Sequence, residues 1–138
     1  MQEKDIFEKI REQGGRITTI RKKILRILSE KGCLVSQEKI LANLKKQNQK
    51  PNRSTIFREL LFLTKNNIVL KNTISGIDYY EIPHEHHHHI VCLKCKSIKK
   101  IDIGNCLEKQ EKLVEKRNNF IIINHSLEFY GYCHKCRI

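Results

Sequence analysis

Four stretches of the first half place their apolar residues at helical spacing. Residues 4–13 carry Ile6, Phe7 and Ile10 on one helix face and stop at Gly14-Gly15. Thr18 or Thr19 caps a second helix, with Ile20, Ile24, Leu25, Ile27 and Leu28 on one face and Gly32 as its stop. Ser36 caps a third, whose inward stripe is Ile40, Leu41 and Leu44, and Pro51-Asn52 then breaks the chain. A fourth helix spans residues 54–65, with Ile56, Leu60, Leu61 and Leu63 inward and Asn66-Asn67 at its end. Here the period changes. Residues 68–71 and 77–82 are β-rich runs around a Ser75-Gly76 turn and predict a hairpin.

Three helices, a helix opening on basic and hydroxyl side chains, and a hairpin follow the order of a winged helix-turn-helix domain. Other small helical domains share that order, so the pattern alone does not decide for DNA. The second half differs. Residues 90–93 and 98–103 predict strands around a Cys-x-x-Cys turn, and residues 105–117 a helix carrying Leu107, Leu113 and Val114. Residues 120–123 and 127–132 predict two more strands before a second Cys-x-x-Cys. Pro83-His84 is the expected hinge. The predicted class is α+β: a winged-helix domain over residues 1–83, then a small α/β domain over residues 84–138.

A chain of 138 residues makes one domain or two small ones, which excludes a large multidomain enzyme. An apolar fraction of 39% with only 6 Gly and 2 Pro excludes disorder and collagen-like repeats. No apolar run reaches the roughly 18–20 residues that span a bilayer, and the first residues lack the pattern of a signal peptide. A cytoplasmic location without membrane association is expected. Charge then sharpens the reading of the first half. Of the formal +12, residues 1–80 carry 17 basic and 8 acidic side chains, residues 81–138 only 10 and 7. A basic first half points to a polyanion, most simply nucleic acid. Lysines and arginines are ordinarily a solvated surface.

Cys92-x-x-Cys95 and Cys133-x-x-Cys136 are separated by 37 residues. Two residues between thiolates suit a turn whose sulfurs face one metal at about 2.3 Å, and two such turns close a tetrahedral four-sulfur site. Four soft protein donors favour Zn(II) and leave no position for a reactive water, so the site is structural. A pair of redox motifs and cysteines merely packed in a core are the rivals. Cys33 and Cys106 read as small buried hydrophobes.

Five of the seven histidines lie within residues 83–89. His84, Glu85 and His88 form a literal H-E-x-x-H, which makes a zinc hydrolase only on a helix. Pro83 before the cluster and a β-rich run after it favour an extended chain, in which His86 and His88 point one way and His87 and His89 the other. Two metal sites, one per face, is the natural geometry; a solvated histidine-rich loop is the bland alternative. A zinc-stabilised RNA-binding module is a further rival, though the chain has no strand with several exposed aromatics for base stacking.

The histidine-rich box running into the first cysteine pair (HHHHIVCLKC, residues 86–95) and NHSLEFYGYC at residues 124–133 resemble the ferric uptake regulator (Fur) family of metal-dependent transcriptional repressors. Ser54-Thr55-Ile56-Phe57-Arg58 is similar to the start of that family's recognition helix, and the likeness runs from about Lys4 to Cys136. It implies a homodimer that binds A/T-rich palindromic double-stranded DNA when loaded with a divalent metal and controls metal-homeostasis genes. No enzymatic activity, small-molecule substrate or membrane partner is implied. The four cysteines match the family's structural Zn(II) site. His86, His88, Glu108 and His125 match one further metal site; Glu81, His87 and His89 match the regulatory site at the hinge, which takes Fe(II), Mn(II) or Zn(II). Thr55, Phe57 and Arg58 fall on positions that meet DNA, with Phe57 where tyrosine is usual, and Arg16 matches a residue that reaches the minor groove; of the basic residues, Arg16, Arg53 and Arg58 are the ones expected to touch DNA.

The chain departs from the family at the hinge site. A histidine is usual just before the third helix, where Leu34 stands beside Cys33, and a carboxylate where Lys100 stands two residues before Asp102. A cation among the ligands repels the ion, so the site is reduced to three ligands, rebuilt with Cys33 or Asp102, or lost. With Cys33 the softer donor set shifts preference toward Zn(II). Peroxide sensing and metal-independent DNA binding, both within the same family type, are the alternatives. In the metal-gated reading, an ion gripping both halves selects the orientation that sets two recognition helices into successive major grooves.

Overall fold

The computed structural model describes residues 2–83, 86–104, 107–123 and 125–137. The chain divides into two compact units, Met1–Glu85 and His86–Ile138. In the first, α1 (Glu3–Glu12), α2 (Thr19–Lys31), β1 (Val35–Ser36), α3 (Gln37–Lys46) and α4 (Arg53–Lys65) precede the hairpin strands β2 (Leu70–Ile74) and β3 (Ile77–Glu81). The three strands form an antiparallel sheet in the order β1-β3-β2, with Val35 opposite Tyr80 and Lys71 also opposite Tyr80. This is a winged helix-turn-helix unit with its wing at β2–β3.

The helix ends follow from capping chemistry. Thr18 accepts from the Arg21 N–H at 3.2 Å, Ser36 from the Lys39 N–H at 3.3 Å, and Asn52 from the Thr55 N–H at 2.8 Å. Gly32 closes α2 in the left-handed region at φ 58°, where a side chain is strained. The Ser75-Gly76 turn takes positive φ at both positions, 52° and 77°, the geometry of a tight hairpin turn. One apolar core unites Ile10, Ile24, Leu28, Ile40, Leu44 and Ile56 with Leu60, Leu63 and Ile68, all fully buried.

Three expectations for this unit need correction. Leu61 does not join the core; it is 51% exposed, because the face that buries Ile56, Leu60 and Leu63 turns it outward, one helical turn after Phe57. Ile20 and Leu41 are only partly buried at the core's edge. The first hairpin strand begins later than expected, since Ile68 and Val69 are held by the end of α4, both N–H groups donating to the Leu63 carbonyl.

In the second unit β4 (His88–Cys92), β5 (Ile98–Ile101), α5 (Glu108–Asn118) and β6 (Glu128–Gly131) follow in order. The sheet runs β5-β4-β6, with β4 antiparallel to β5 and parallel to β6. The whole fold is therefore α+β. Residues 120–123 form no strand, against expectation: the Ile122 N–H donates to Glu115 Oε1 at 2.7 Å instead of to a strand partner. Phe120, Ile121 and Ile123 are 71%, 87% and 95% exposed. No residue of α5 is buried, so Leu113 and Val114 lie open as well. Among the described residues no helix is long and apolar enough to cross a membrane.

Candidate metal centres and nucleic-acid interface

Each cysteine pair sits on a tight turn. The Lys96 N–H donates to the Cys92 carbonyl at 2.9 Å, with Lys96 at φ 60°, and the Cys136 N–H donates to the Cys133 carbonyl at 2.9 Å. The parallel pairing of β4 with β6 sets Cys92 opposite Gly131, two residues before Cys133, which brings the two turns together. The four Sγ atoms lie within 4.8 Å of one another, Cys95 and Cys133 at 3.9 Å. A tetrahedral site with bonds of about 2.3 Å requires sulfurs roughly 3.8 Å apart, so the donor set fits Zn(II).

Electrostatics around the thiols already favour ionisation of one of them. The Cys133 N–H, donating to Cys92 Sγ at 3.4 Å, is the main cause that lowers the Cys92 pKa to about 6. Cys136 is pushed up to about 12, chiefly by hydrogen bonding with Cys133. Four crowded sulfurs cannot all ionise without a cation among them, and a divalent ion supplies that charge.

The histidine box is extended rather than helical. Residues 86 and 87 carry no regular structure and β4 begins at His88, which removes the geometry an H-E-x-x-H hydrolase needs. His84, Glu85 and Cys106 lie outside the described residues. His86, His88 and His125 bring three donor atoms within 4.8 Å of one another, with His86 Nε2 and His125 Nε2 at 2.8 Å. His87 Nε2 and His89 Nε2 form a separate pair at 3.2 Å. The alternation of an extended chain thus separates the histidines into two sets.

The first set has the character of a metal centre. His88 is buried, and its Nδ1 is the only buried side-chain nitrogen or oxygen among the described residues without a hydrogen-bond partner. Desolvation, with the neighbouring His86 and His125, lowers the His88 pKa and keeps the ring in the neutral form that ligates metal. Beside these rings is a cavity of about 260 Å³ lined by His86, Gly104, Leu107, Glu108, Glu111 and His125. Glu108 sits in that wall with its carboxylate 3.1 Å from Lys112 Nζ, whereas Glu111 accepts from His125 Nδ1. The sequence alone does not single out Glu111; its one signal there is the i, i+3 spacing from Glu108.

The residues assigned to the hinge site are distributed over both units. In the first unit Cys33 is half-buried, and its Sγ lies within 4.8 Å of a Glu81 carboxylate oxygen. Leu34 is buried. In the second, Lys100 is the cross-strand partner of His89, on the same face of the sheet, and Asp102 Oδ1 accepts from the Gly104 N–H at 2.8 Å.

On α4 the residues expected to meet DNA gather at the N-terminal end. Asn52 Oδ1 accepts from the Ser54 and Thr55 hydroxyls at 2.9 and 2.8 Å. Arg53 and Arg58 are exposed, Arg58 Nε donating to the Ser54 carbonyl at 3.3 Å. Phe57 is 53% exposed and with Leu61 makes an apolar strip on this otherwise polar face. Arg16 is exposed on the loop before α2.

Comparison with known proteins agrees with this anatomy. The family model described as "Ferric uptake regulator family" matches residues 12–130. The "Ferric uptake regulation protein" of Bacillus subtilis is 29% identical over 137 residues, covering 95% of this chain and 91% of its own. The Helicobacter pylori ferric uptake regulator superposes with a TM-score of 0.84 at 26% identity, covering 100% of this chain and 95% of its own; its structure is described as revealing three functional metal binding sites. The Vibrio cholerae regulator superposes with a TM-score of 0.80 at 26% identity, covering 91% and 98%. The chain therefore belongs to the ferric uptake regulator family, a family of transcription regulators and not of enzymes.

Proposed function

We propose that this chain is a homodimeric, metal-gated repressor that binds A/T-rich palindromic double-stranded DNA in the cytoplasm and controls metal-homeostasis genes. Each subunit holds one structural Zn(II) at Cys92, Cys95, Cys133 and Cys136. A second divalent ion, Fe(II), Mn(II) or Zn(II), binds at His86, His88 and His125. Glu81, His87 and His89 are assigned to the regulatory ion on that resemblance, with Cys33 or Asp102 as added donors.

The observation that carries this reading is the separation of the histidine box into two donor sets, beside a complete four-cysteine set, in a chain that also has a winged helix. The exposed apolar run at Phe120, Ile121 and Ile123 supports a second copy as its cover. The basic first unit, with Arg16, Arg53 and Arg58 exposed near the hydroxyls of Ser54 and Thr55, supports phosphate contacts. Phe57 suits contact with a thymine methyl.

Metal analysis of the purified protein tests this. The parent is expected to hold zinc plus at least one further equivalent, and His86→Ala with His125→Ala to lose one equivalent while the zinc remains. Unchanged stoichiometry contradicts the second site. Lys100 opposite His89 favours a second reading, in which the hinge ion is lost and DNA binding needs no added metal.

A further inference from the structure

Two carboxylates of α5 border the cavity beside the three histidines, and they have different partners. Glu108 is exposed and paired with Lys112 one turn along its own helix, at 3.1 Å. Glu111 is half-buried and accepts from His125 Nδ1. That contact settles the tautomer of His125, since a proton on Nδ1 facing a carboxylate leaves the lone pair on Nε2. Nε2 is the atom that lies 2.8 Å from His86 Nε2, on the side where the donors converge.

We propose that Glu111 is the positioning residue of a three-histidine divalent-metal site, and that Glu108 stays with Lys112 outside the coordination. Glu111 does not touch the ion. It holds the His125 ring with Nε2 aimed at the ion and makes that nitrogen a stronger donor, as carboxylates behind ligating histidines do. The protein donors are then three imidazoles and no carboxylate, a set that prefers Zn(II) or Co(II) to Mn(II). The inference rests on the reading that these three histidines bind an ion at all.

The test uses full-length protein with its four-cysteine site filled by zinc, titrated with Co(II) and followed by the visible absorption of the bound ion. His86→Ala with His125→Ala examines the underlying reading: one Co(II) equivalent is expected to disappear, and an unchanged count defeats both that reading and the proposal. With that control met, Glu111→Ala is expected to weaken Co(II) binding about 10- to 100-fold. The stoichiometry stays the same, and Glu111→Asp recovers part of the loss. Glu108→Gln is expected to leave both affinity and spectrum at the parent values. A Glu108→Gln protein that loses the site or changes its spectrum, with Glu111→Ala unaltered, puts Glu108 on the ion and overturns the proposal.

Discussion

Arg21 Nε donates to Glu59 Oε2 at 2.7 Å, joining α2 to α4 across 38 positions of chain. The same guanidinium donates through Nη1 to the Arg16 carbonyl at 2.8 Å and stacks 4.1 Å over the Phe62 ring. One side chain thus ties the loop that presents Arg16 to the helix that presents Thr55, Phe57 and Arg58. Both partners are largely buried, so the pair is screened little by solvent. Glu59→Ala leaves a buried guanidinium short of a partner and is expected to cost about 1–3 kcal/mol of stability. DNA affinity is expected to fall with it, although Glu59 is not one of the residues assigned to DNA. Chemical denaturation and a binding titration check this; an unchanged midpoint removes the structural role of the pair.

Gly15 is the point where the α1–α2 loop touches this assembly. A Cβ there would lie 2.6 Å from Phe62 Cζ and 2.9 Å from Ile10 Cγ2. Gly15→Ala must push Phe62 aside and is expected to destabilise by about 1–3 kcal/mol, as overpacked cores do. Gly14→Ala meets no atom within 4 Å but sits at φ 74°, so its expected cost is the smaller one of backbone strain, about 1 kcal/mol. Thermal denaturation of the two variants separates contact from conformation, and equal losses contradict the assignment.

Removing the ion from the cysteines is expected to unfold the second unit and spare the first. Four residues of the described second unit are buried hydrophobic or histidine side chains, His88, His89, Val91 and Cys92, whereas the first unit has a continuous apolar core. So small a core depends on metal-binding energy for its folding. Amide exchange after chelation, or in Cys92→Ser, should show protection lost over β4–β6 and retained over α2–α4. Protection retained in both units argues against a structural zinc.

The polar and apolar contacts expected on α4 separate by salt. Arg58→Ala is expected to weaken DNA binding and reduce the salt slope by about one, the signature of a lost phosphate contact. Phe57→Ala is expected to lower affinity without altering the slope, because it releases no counterion. Binding titrations at several ionic strengths distinguish them, and an unaltered slope in Arg58→Ala excludes a phosphate contact there.

Much of this anatomy is written in local pattern. Thr18, Ser36, Asn52 and Gly32 mark helix ends through short-range hydrogen bonds and φ preferences, and the strand at His88 follows from a β-rich run after Pro83. The two cysteine turns are likewise local; only the β4–β6 pairing that joins them is not. What local pattern misses is orientation. Leu61 counts as apolar in any helical window, yet whether it lies inside the stripe depends on where the core sits, and it lies outside. Residues 120–123 have strand-like composition, but an Ile122–Glu115 hydrogen bond takes the backbone elsewhere. The Glu111–His125 contact spans 14 positions and two elements, so no spacing rule selects Glu111 over Glu108.

Metal gating of DNA binding is read out by fluorescence anisotropy of an A/T-rich palindromic duplex titrated with the zinc-loaded protein. The titration is run with and without added Mn(II), Fe(II) or Zn(II), against a scrambled duplex. Tight, sequence-selective binding is expected only when a second metal is present. Equally tight binding without it contradicts metal gating and marks Leu34 and Lys100 as the signs of a lost switch.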